Sequence, residues 1–233
     1  MENRRLALAD LHIHTTCSDG AATPAEVARA LAGSDLAVAA VTDHDSVEGA
    51  LRVREALAGA GPEIVVGSEV TTADGHLLAL FIDRPPPSGR SARETIERVH
   101  AQGGLAIAPH PYFPVVSLGD LAARLPFDAV EVANGTPLGE IANWRARRRL
   151  GAAARAVVGG SDAHVLAAVG HVQTLFPGRT AADLRAAIER GETVPAFDWR
   201  RHLRMAPVHL RRSFWPMLRD VVQLRRAAGA LHP

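Results

Sequence analysis

The sequence predicts an α/β fold, in which short apolar strands alternate with amphipathic helices around a largely parallel sheet. Its 233 residues are enough for one substantial core, and single α/β barrels commonly approach this length. Hydrophobic residues make up 47% and charged residues 22%, which is typical of a globular protein rather than a disordered one. Because only 4% of the residues are aromatic, leucine, valine and alanine must fill most of the core.

Seven apolar runs have the length and composition of strands. They cover residues 7–14, 36–42, 64–71, 76–82, 105–109, 129–133 and 156–160. Thr23 is followed three residues later by Glu26, the spacing of a capping box, and Thr180 is a second candidate N-cap. The pair Asp74-Gly75 lies between two β-rich runs and therefore predicts a hairpin.

Residues 1–194 are expected to form the barrel as one domain, followed by an Arg-rich extension over residues 195–233. The extension has eight arginines and two aspartates, a local charge of +6 in a chain whose net charge is +1. An apolar stripe after Pro216 predicts a helix that packs on the barrel or on a partner subunit, and the oligomeric state is left open. Binding of nucleic acid or of a membrane surface by these arginines is the less favoured alternative.

The cysteine content and the amino terminus favour a cytoplasmic location. Cys17 is the only cysteine, so no internal disulfide can form, which fits a reducing compartment. Two arginines precede a short apolar run, but Asp10 and His12 interrupt it before it reaches the length of a secretory signal. No apolar stretch approaches the length of a membrane span, and no membrane partner is expected.

Residues able to bind metal ions collect where the predicted strands end. They lie in residues 10–20, 42–45, 67–69, 108–111 and 159–164. The carboxyl ends of parallel strands share one rim, so these segments should converge. Asp10, His12 and His14 alternate along a strand and point to one face, and such nitrogen and oxygen ligands suit Zn²⁺, Mn²⁺ or Fe²⁺. Asp10 and Asp43 could either orient the ligating imidazoles or bind local loops.

An ordered series of motifs runs through these segments. The motifs are His12-Ile13-His14, Ser18-Asp19-Gly20, Thr42-Asp43-His44, Glu69, His76-Leu77-Leu78, Pro109-His110-Pro111 and Gly160-Ser161-Asp162-Ala163-His164. As a set they resemble the PHP (polymerase and histidinol phosphatase) family, over about residues 9–191. The resemblance implies a distorted (β/α)7 TIM-like barrel, up to three divalent ions and a phosphoesterase activity.

The resemblance also implies a set of nine metal ligands. The first ion would be bound by His12, His14, Glu69 and Asp162, which would therefore be the catalytic residues. Glu69 would bridge to a second ion completed by His76 and His110, and a third ion would be bound by Asp19, His44 and His164. The expected cofactor is accordingly two to three divalent cations, manganese, zinc or iron.

Such ions would lower the pKa of bound water from about 15.7 towards roughly 7 and hold a bridging hydroxide in line with phosphorus. The expected function is hydrolysis of a phosphomonoester of a small metabolite or nucleotide. The alternatives are a nuclease that trims nucleic-acid ends, a hydrolase of carbon–nitrogen or ester bonds, and a non-catalytic metal-stabilised domain. This mechanism requires no thiol nucleophile, so Cys17 is interpreted as a bystander.

Candidate substrate-binding residues rest on weaker patterns. Asn134 resembles a family position that faces the pocket. Relatives often have an arginine two residues later, where this chain has Thr136, so an arginine clamp for phosphate must come from elsewhere. Arg145 and Arg179 are the candidates, and His171 occupies a position where relatives often carry arginine.

Overall fold

One mixed sheet of nine strands curls into a nearly closed barrel within residues 5–137 and 139–197, the part of the chain that this computed structural model describes. The strands are β1 (Leu6–Asp10), β2 (Val38–Val41), β3 (Glu63–Thr71), β4 (His76–Leu80), β5 (Leu105–Ala108), β6 (Ala129–Asn134), β7 (Val157–Gly160), β8 (Val172–Pro177) and β9 (Val194–Phe197). Their order in the sheet is β7-β6-β5-β4-β3-β2-β1-β8-β9. An isolated bridge between Ile13 and Ala163 joins the segments that follow β1 and β7. The expected α/β barrel is confirmed.

The sheet contains both parallel and antiparallel strand pairs, where a largely parallel sheet with one hairpin was expected. Strands β1 to β3 and β5 to β7 are parallel, whereas β4 is antiparallel to both of its neighbours. The predicted hairpin at Asp74-Gly75 causes this reversal, since Thr71 pairs with His76 and Gly75 has a φ of 139°, which glycine adopts readily. Strands β8 and β9 were not predicted, and both pair antiparallel.

Five α-helices pack against the sheet in the described part of the chain. They are α1 (Pro24–Ala32), α2 (Glu48–Leu57), α3 (Ala92–Ala101), α4 (Glu140–Leu150) and α5 (Ala181–Arg190). The caps predicted at Thr23 and Thr180 are confirmed. Thr23 and Glu26 form a capping box at α1, and Thr180 and Asp183 form another at α5.

The alternation of side chains along the strands separates the barrel interior from its outer layer. In β2, Val38 and Ala40 belong to an apolar cluster with members from strands β1 to β7, whereas Ala39 and Val41 pack with α1 and α2. Leu184 of α5 joins the interior cluster. Because α5 follows β8 at the end of the barrel where β1 begins, it covers that end and leaves the opposite end to the polar segments.

Strand β9 crosses the expected domain boundary between residues 194 and 195. Val194–Phe197 pairs with β8 along its whole length, so the first residues of the expected extension belong to the barrel sheet. The predicted helix after Pro216 lies outside the described residues. No helix among the described residues is both long enough and apolar enough to cross a membrane.

Candidate metal centre

The polar segments meet at the end of the barrel where the parallel strands finish. The segment after β1 is bonded to the segment after β7, because the main-chain N–H of His14 donates to Ala163 O (3.0 Å) and that of Ala163 donates to His12 O (3.2 Å). An isolated bridge joins His44, after β2, to Glu69 in β3. The chain therefore brings histidines and carboxylates from distant parts of the sequence to one rim, as predicted.

The carboxylate of Glu69 lies at the centre of this group and is only 2% exposed. Its Oε2 atom is 3.0 Å from His12 Nε2 and 3.2 Å from His14 Nε2. Its Oε1 atom is 2.8 Å from His76 Nδ1 and 3.0 Å from His110 Nε2. Each oxygen thus faces a different pair of imidazoles, so the two oxygens could bind two different cations.

Three groups of side chains hold ligand atoms that all lie within 4.8 Å of one another. The groups are His12, His14, Glu69 and Asp162; His44, Glu69 and His76; and His14, Asp19, His44 and His164. The first has the same members as the expected first metal site. The second group contains His44 in place of the expected His110, whose Nε2 atom nevertheless lies 3.0 Å from Glu69 Oε1, and the third adds His14 to the expected residues.

The donor set fits divalent cations. His14 is buried, and both of its ring nitrogens lack a hydrogen-bond partner among the described residues, although Glu69, Asp162 and Asp19 carboxylate oxygens lie 3.2, 3.4 and 3.4 Å away. Two ligands on one tetrahedral ion, each at about 2.0–2.2 Å, are separated by about 3.3–3.6 Å. Nitrogen and oxygen atoms at these distances that are not aimed at each other are arranged as ligands of a common ion.

The pKa shifts of the candidate ligands also favour binding of a cation. Burial lowers the pKa of His14, but the nearby carboxylates of Asp162 and Glu69 outweigh it and raise that pKa to about 10. Burial raises the pKa of Glu69, yet the nearby histidines, His76 first, hold it well below its usual range. Asp162 is likewise held well below its usual range, mainly by His12 against the effect of burial. The ionised carboxylates thus attract positive charge, which a divalent cation would supply by displacing protons.

Asp10 and Asp43 bind loops and do not orient the imidazoles. Asp10 accepts hydrogen bonds from the main-chain N–H groups of Ser161 (2.9 Å) and Gly170 (2.7 Å). Burial raises its pKa to about 6 despite these bonds. Asp43 accepts from both the main chain and the hydroxyl of Thr15, each at 2.8 Å. Of the two interpretations left open by the sequence, the structure supports local loop binding.

Asn134 is buried at the rim beside Asp162, and its amide is bonded to neighbouring protein groups. Its Nδ2 atom donates to Glu131 Oε2 (2.7 Å) and to Asp162 Oδ2 (3.3 Å), and its Oδ1 atom accepts from the main chain of Thr136 (2.8 Å). These contacts bind the amide to Glu131, Asp162 and Thr136 rather than leaving it open to a substrate. Substrate binding by Asn134 therefore stays a prediction.

His171 is also buried, with an exposure of 1%. Its ring nitrogens face the main-chain oxygens of Ala168 and Gly135, the latter at 3.2 Å. The side chain therefore links the loop before β8 to the turn after β6. The ring is thus bonded to the main chain of that turn, and its role in substrate binding stays a prediction.

The two candidate arginines lie at different ends of the barrel. The guanidinium of Arg145 stacks 4.6 Å above the ring of Tyr112, two residues after His110, and so lies on the side of the metal cluster. Arg179 follows β8, whose last residue, Pro177, pairs with the first residue of β1. Because β8 runs antiparallel to β1, the structure places Arg179 at the opposite end and does not bring it to the cluster.

Glu131 is a site residue that was missed in the sequence. It is completely buried in β6, and its Oε1 atom lies 3.3 Å from His12 Nδ1. Its position was a detectable signal, because it is the one acidic residue in AVEVAN, a strand in which every residue is buried. Thr136 was also not assigned to the cluster, yet its hydroxyl donates to Asp162 Oδ2 (2.6 Å).

Comparison with known families shows which family the chain belongs to. The family model described as PHP domain matches residues 10–158, and the one described as PHP-associated matches residues 140–193. The chain belongs to the PHP family. The two matches together cover all nine candidate ligands and extend past the end of α5.

Individual PHP relatives differ in how much of their length the chain covers. An uncharacterised protein of Methanocaldococcus jannaschii is 39% identical over 138 residues, which are 54% of this chain and 81% of that protein. A 3',5'-nucleoside bisphosphate phosphatase of Chromobacterium violaceum is 38% identical over 87 residues, 36% of this chain and 30% of that protein. An error-prone DNA polymerase of Mycolicibacterium paratuberculosis is 35% identical over 109 residues, 41% of this chain and 10% of the polymerase. The chain thus spans only a small part of the last two.

Solved PHP-like structures share the fold. A two-domain protein from Bacteroides vulgatus containing a predicted PHP-like metal-dependent phosphoesterase superposes with a TM-score of 0.69 at 20% identity, over 84% of this chain and 66% of that one. PsfC from Pseudomonas syringae superposes with a TM-score of 0.66 at 21% identity, over 88% of this chain and 98% of its own. At these identities the likeness shows the fold alone.

Proposed function

We propose that the chain is a metal-dependent phosphoesterase that hydrolyses a phosphomonoester of a small metabolite or nucleotide. One observation carries this proposal: the Glu69 carboxylate faces four imidazoles at 2.8–3.2 Å, two on each oxygen. Two cations bridged by one carboxylate are suited to in-line displacement at phosphorus. Similarity to a nucleoside bisphosphate phosphatase supports the same chemical class.

The first group, which consists of His12, His14, Glu69 and Asp162, would bind the cation at which hydrolysis takes place. Bound divalent cations would supply an activated water and bind the nonbridging phosphate oxygens. His12, His14 and Glu69 are almost completely buried, so the chain itself excludes bulk water from one side of the cluster. Asp162 directs its Oδ1 atom to His12 (3.5 Å) and His14 (3.4 Å), while Oδ2 is held by the hydroxyl of Thr136.

Substrate would approach from the side of the third group. The Asp19 side chain is 47% exposed and that of His44 26%, in contrast to the buried first group. Within the described residues, the ion pairs of Asp19, Glu69 and Asp162 are all with histidines, and none is with an arginine. Recognition of the phosphoryl group would accordingly depend on the cations themselves, with Arg145 as a more distant contributor.

A panel of three substrates tests this function against its alternatives. One preparation, supplied in turn with Mn²⁺, Zn²⁺ and Fe²⁺, is offered an aryl phosphate, a single-stranded oligonucleotide and an aryl ester. We expect turnover of the aryl phosphate with at least one ion. The Arg179→Gln variant serves as a control that should match the wild type, since Arg179 lies at the opposite end of the barrel. Turnover of the ester alone would refute a phosphoesterase.

A nuclease is the second candidate, favoured by the +6 charge of residues 195–233 and by similarity to a 5'-3' exoribonuclease of Haemophilus influenzae. If these arginines bind nucleic acid, oligonucleotide cleavage should fall steeply as the salt concentration rises, because phosphate contacts release counterions. Replacement of Arg211, Arg212, Arg225 and Arg226 by glutamine would then abolish this cleavage. We favour the small substrate, for which the same replacement should leave turnover nearly unchanged.

A further inference from the structure

Glu131 connects three segments of the candidate metal centre through its two carboxylate oxygens. Oε1 faces His12 Nδ1 at 3.3 Å. Oε2 accepts from the main-chain N–H of His110 (2.9 Å) and from Nδ2 of Asn134 (2.7 Å). The side chain is completely buried, and its ion pair among the described residues is with His12. A carboxylate buried without arginine is costly unless its oxygens accept hydrogen bonds, as both do here.

The contact with His12 determines which ring nitrogen can bind a metal. A carboxylate can only accept, so His12 must carry a proton on Nδ1 to bond Glu131. A neutral ring with this proton presents the lone pair of Nε2, and Nε2 is the atom that faces Glu69 (3.0 Å) and Asp162 (3.5 Å). Glu131 thus selects the tautomer and the ring orientation of His12.

A second connection runs from Glu131 to Asp162. Nδ2 of Asn134 donates to Glu131 and also to Asp162 Oδ2, at 2.7 and 3.3 Å. The hydroxyl of Thr136 donates to the same Oδ2 atom at 2.6 Å. With Oδ2 engaged in this way, Asp162 is left with Oδ1 facing the histidines.

Gly160 makes room for the contact between Glu131 and His12. A Cβ atom at position 160 would lie 2.5 Å from Glu131 Oε1 and 2.7 Å from His12 Cβ. Both distances are far below van der Waals contact. The last residue of β7 therefore has no side chain at the point where the carboxylate and the imidazole approach each other.

We propose that Glu131 is a positioning residue that presets His12 directly, and Asp162 through Asn134, for binding of a divalent cation. This inference rests on the proposed metal-dependent function. Glu131 belongs to none of the three groups of ligand atoms, and it would act on metal affinity through His12 and Asp162. Loss of such an outer contact typically lowers metal affinity by about 10- to 100-fold.

The Glu131→Gln variant tests the proposal without an activity assay. Glutamine keeps the size of the side chain but has one acceptor oxygen for three donors, so at least one contact with His12, His110 or Asn134 is lost. Zn²⁺ and Mn²⁺ are titrated into the metal-free protein by calorimetry. We expect affinity about 10- to 100-fold below that of the wild type.

Asp128→Asn is the matched control. Asp128 lies just before β6 and, like Glu131, accepts from an imidazole and a main-chain N–H, with His100 Nε2 and Ala106 N both at 2.8 Å. It is at the other end of the strand from the metal centre. Asp128→Asn should therefore leave metal affinity within about twofold of the wild type, even where it lowers the melting temperature.

Equal affinity in Glu131→Gln and wild type would overturn the proposal, as would an equal loss in Asp128→Asn. A wild type that binds neither metal would instead contradict the proposed function. Should Glu131→Gln fail to fold, nitrogen NMR of the histidine rings in the zinc-loaded wild type gives the answer. A proton on Nδ1 of His12 supports the proposal, and a proton on Nε2 overturns it.

Discussion

Asp162 adopts a left-handed backbone conformation with a φ of 51°, and His110 has a φ of 27°. Residues with a Cβ rarely occupy this region, and each instance costs of order 1–3 kcal/mol, although aspartate and asparagine tolerate it best. The hydroxyl of Thr136 and the amide of Asn134 bind Asp162 in this conformation. Strained backbone of this kind is concentrated at functional sites, which agrees with a role of both residues as ligands.

Replacement of Asp162 by asparagine separates charge from shape. Asn tolerates the left-handed backbone, so we expect Asp162→Asn to fold with nearly the melting temperature of the metal-free wild type. It removes an ionised oxygen that lies 3.4 Å from His14, and turnover of an aryl phosphate should fall by about 100-fold or more. His12→Ala should have the same effect on turnover. Rates within about tenfold of wild type in both variants would mean that the reacting atoms lie elsewhere.

A variant of Cys17 tests whether the reaction uses a sulfur nucleophile. It is half-buried two residues before Asp19 in the sequence, and its main-chain N–H donates to the hydroxyl of Thr15 (3.0 Å). The proposed chemistry places no covalent intermediate on sulfur, so Cys17→Ser should keep turnover within about twofold of wild type. Mass spectrometry of a quenched reaction provides the check, and a phosphorylated Cys17 would contradict the mechanism.

At the scale of elements, the capping box of α5 gives a pH-dependent prediction. The main-chain N–H groups of Arg179 and Thr180 donate to Asp183 and lower its pKa. A carboxyl group with a lowered folded-state pKa contributes stability above its unfolded value, near 3.8, and loses it as the pH falls through the folded value. The decrease in melting temperature between pH 7 and about pH 3 should therefore be smaller in Asp183→Asn than in wild type. Equal decreases would exclude this contribution.

The elements that sequence patterns predicted are those with one dominant local signal. All seven apolar runs became strands, and Asp74-Gly75 produced the hairpin that reverses β4. Strand β8 was missed because only alternate residues are buried and Gln173 and Thr174 interrupt its apolar character. In β9 the run Val194–Phe197 is apolar but short and contains a proline, which argues against a strand, so only its pairing with β8 defines it.

Within the site, residues with a motif could be predicted, and residues positioned by tertiary contacts could not. The nine candidate ligands converge, and most of them follow strand ends, whereas Glu69 lies within β3 and His76 begins β4. Glu131 could be recognised only as an unexplained charge in a buried strand. Arg179 was misplaced because its position depends on the antiparallel direction of β8, which no local pattern encodes.

For the whole molecule, cation binding should contribute measurably to stability. The carboxylates and histidines of the rim join segments that follow β1, β2 and β7, so a bound ion links much of the barrel. A ligand at about 1,000 times its Kd stabilises the folded state by about 4 kcal/mol. Chelation should thus lower the melting temperature by several degrees in wild type and by much less in Asp162→Asn. The same shift in both proteins would mean that the ions bind outside this cluster.

The central claim is that hydrolysis depends on cations held by this cluster, and stoichiometric reconstitution tests it most directly. Mn²⁺, Zn²⁺ or Fe²⁺ is added stepwise to chelator-treated protein, and bound metal and phosphate release from an aryl phosphate are measured on the same samples. The account predicts no turnover without metal, and turnover that rises with occupancy and levels off at two to three ions per chain. Full hydrolytic activity in the chelator-treated protein, with no metal detected, would contradict it.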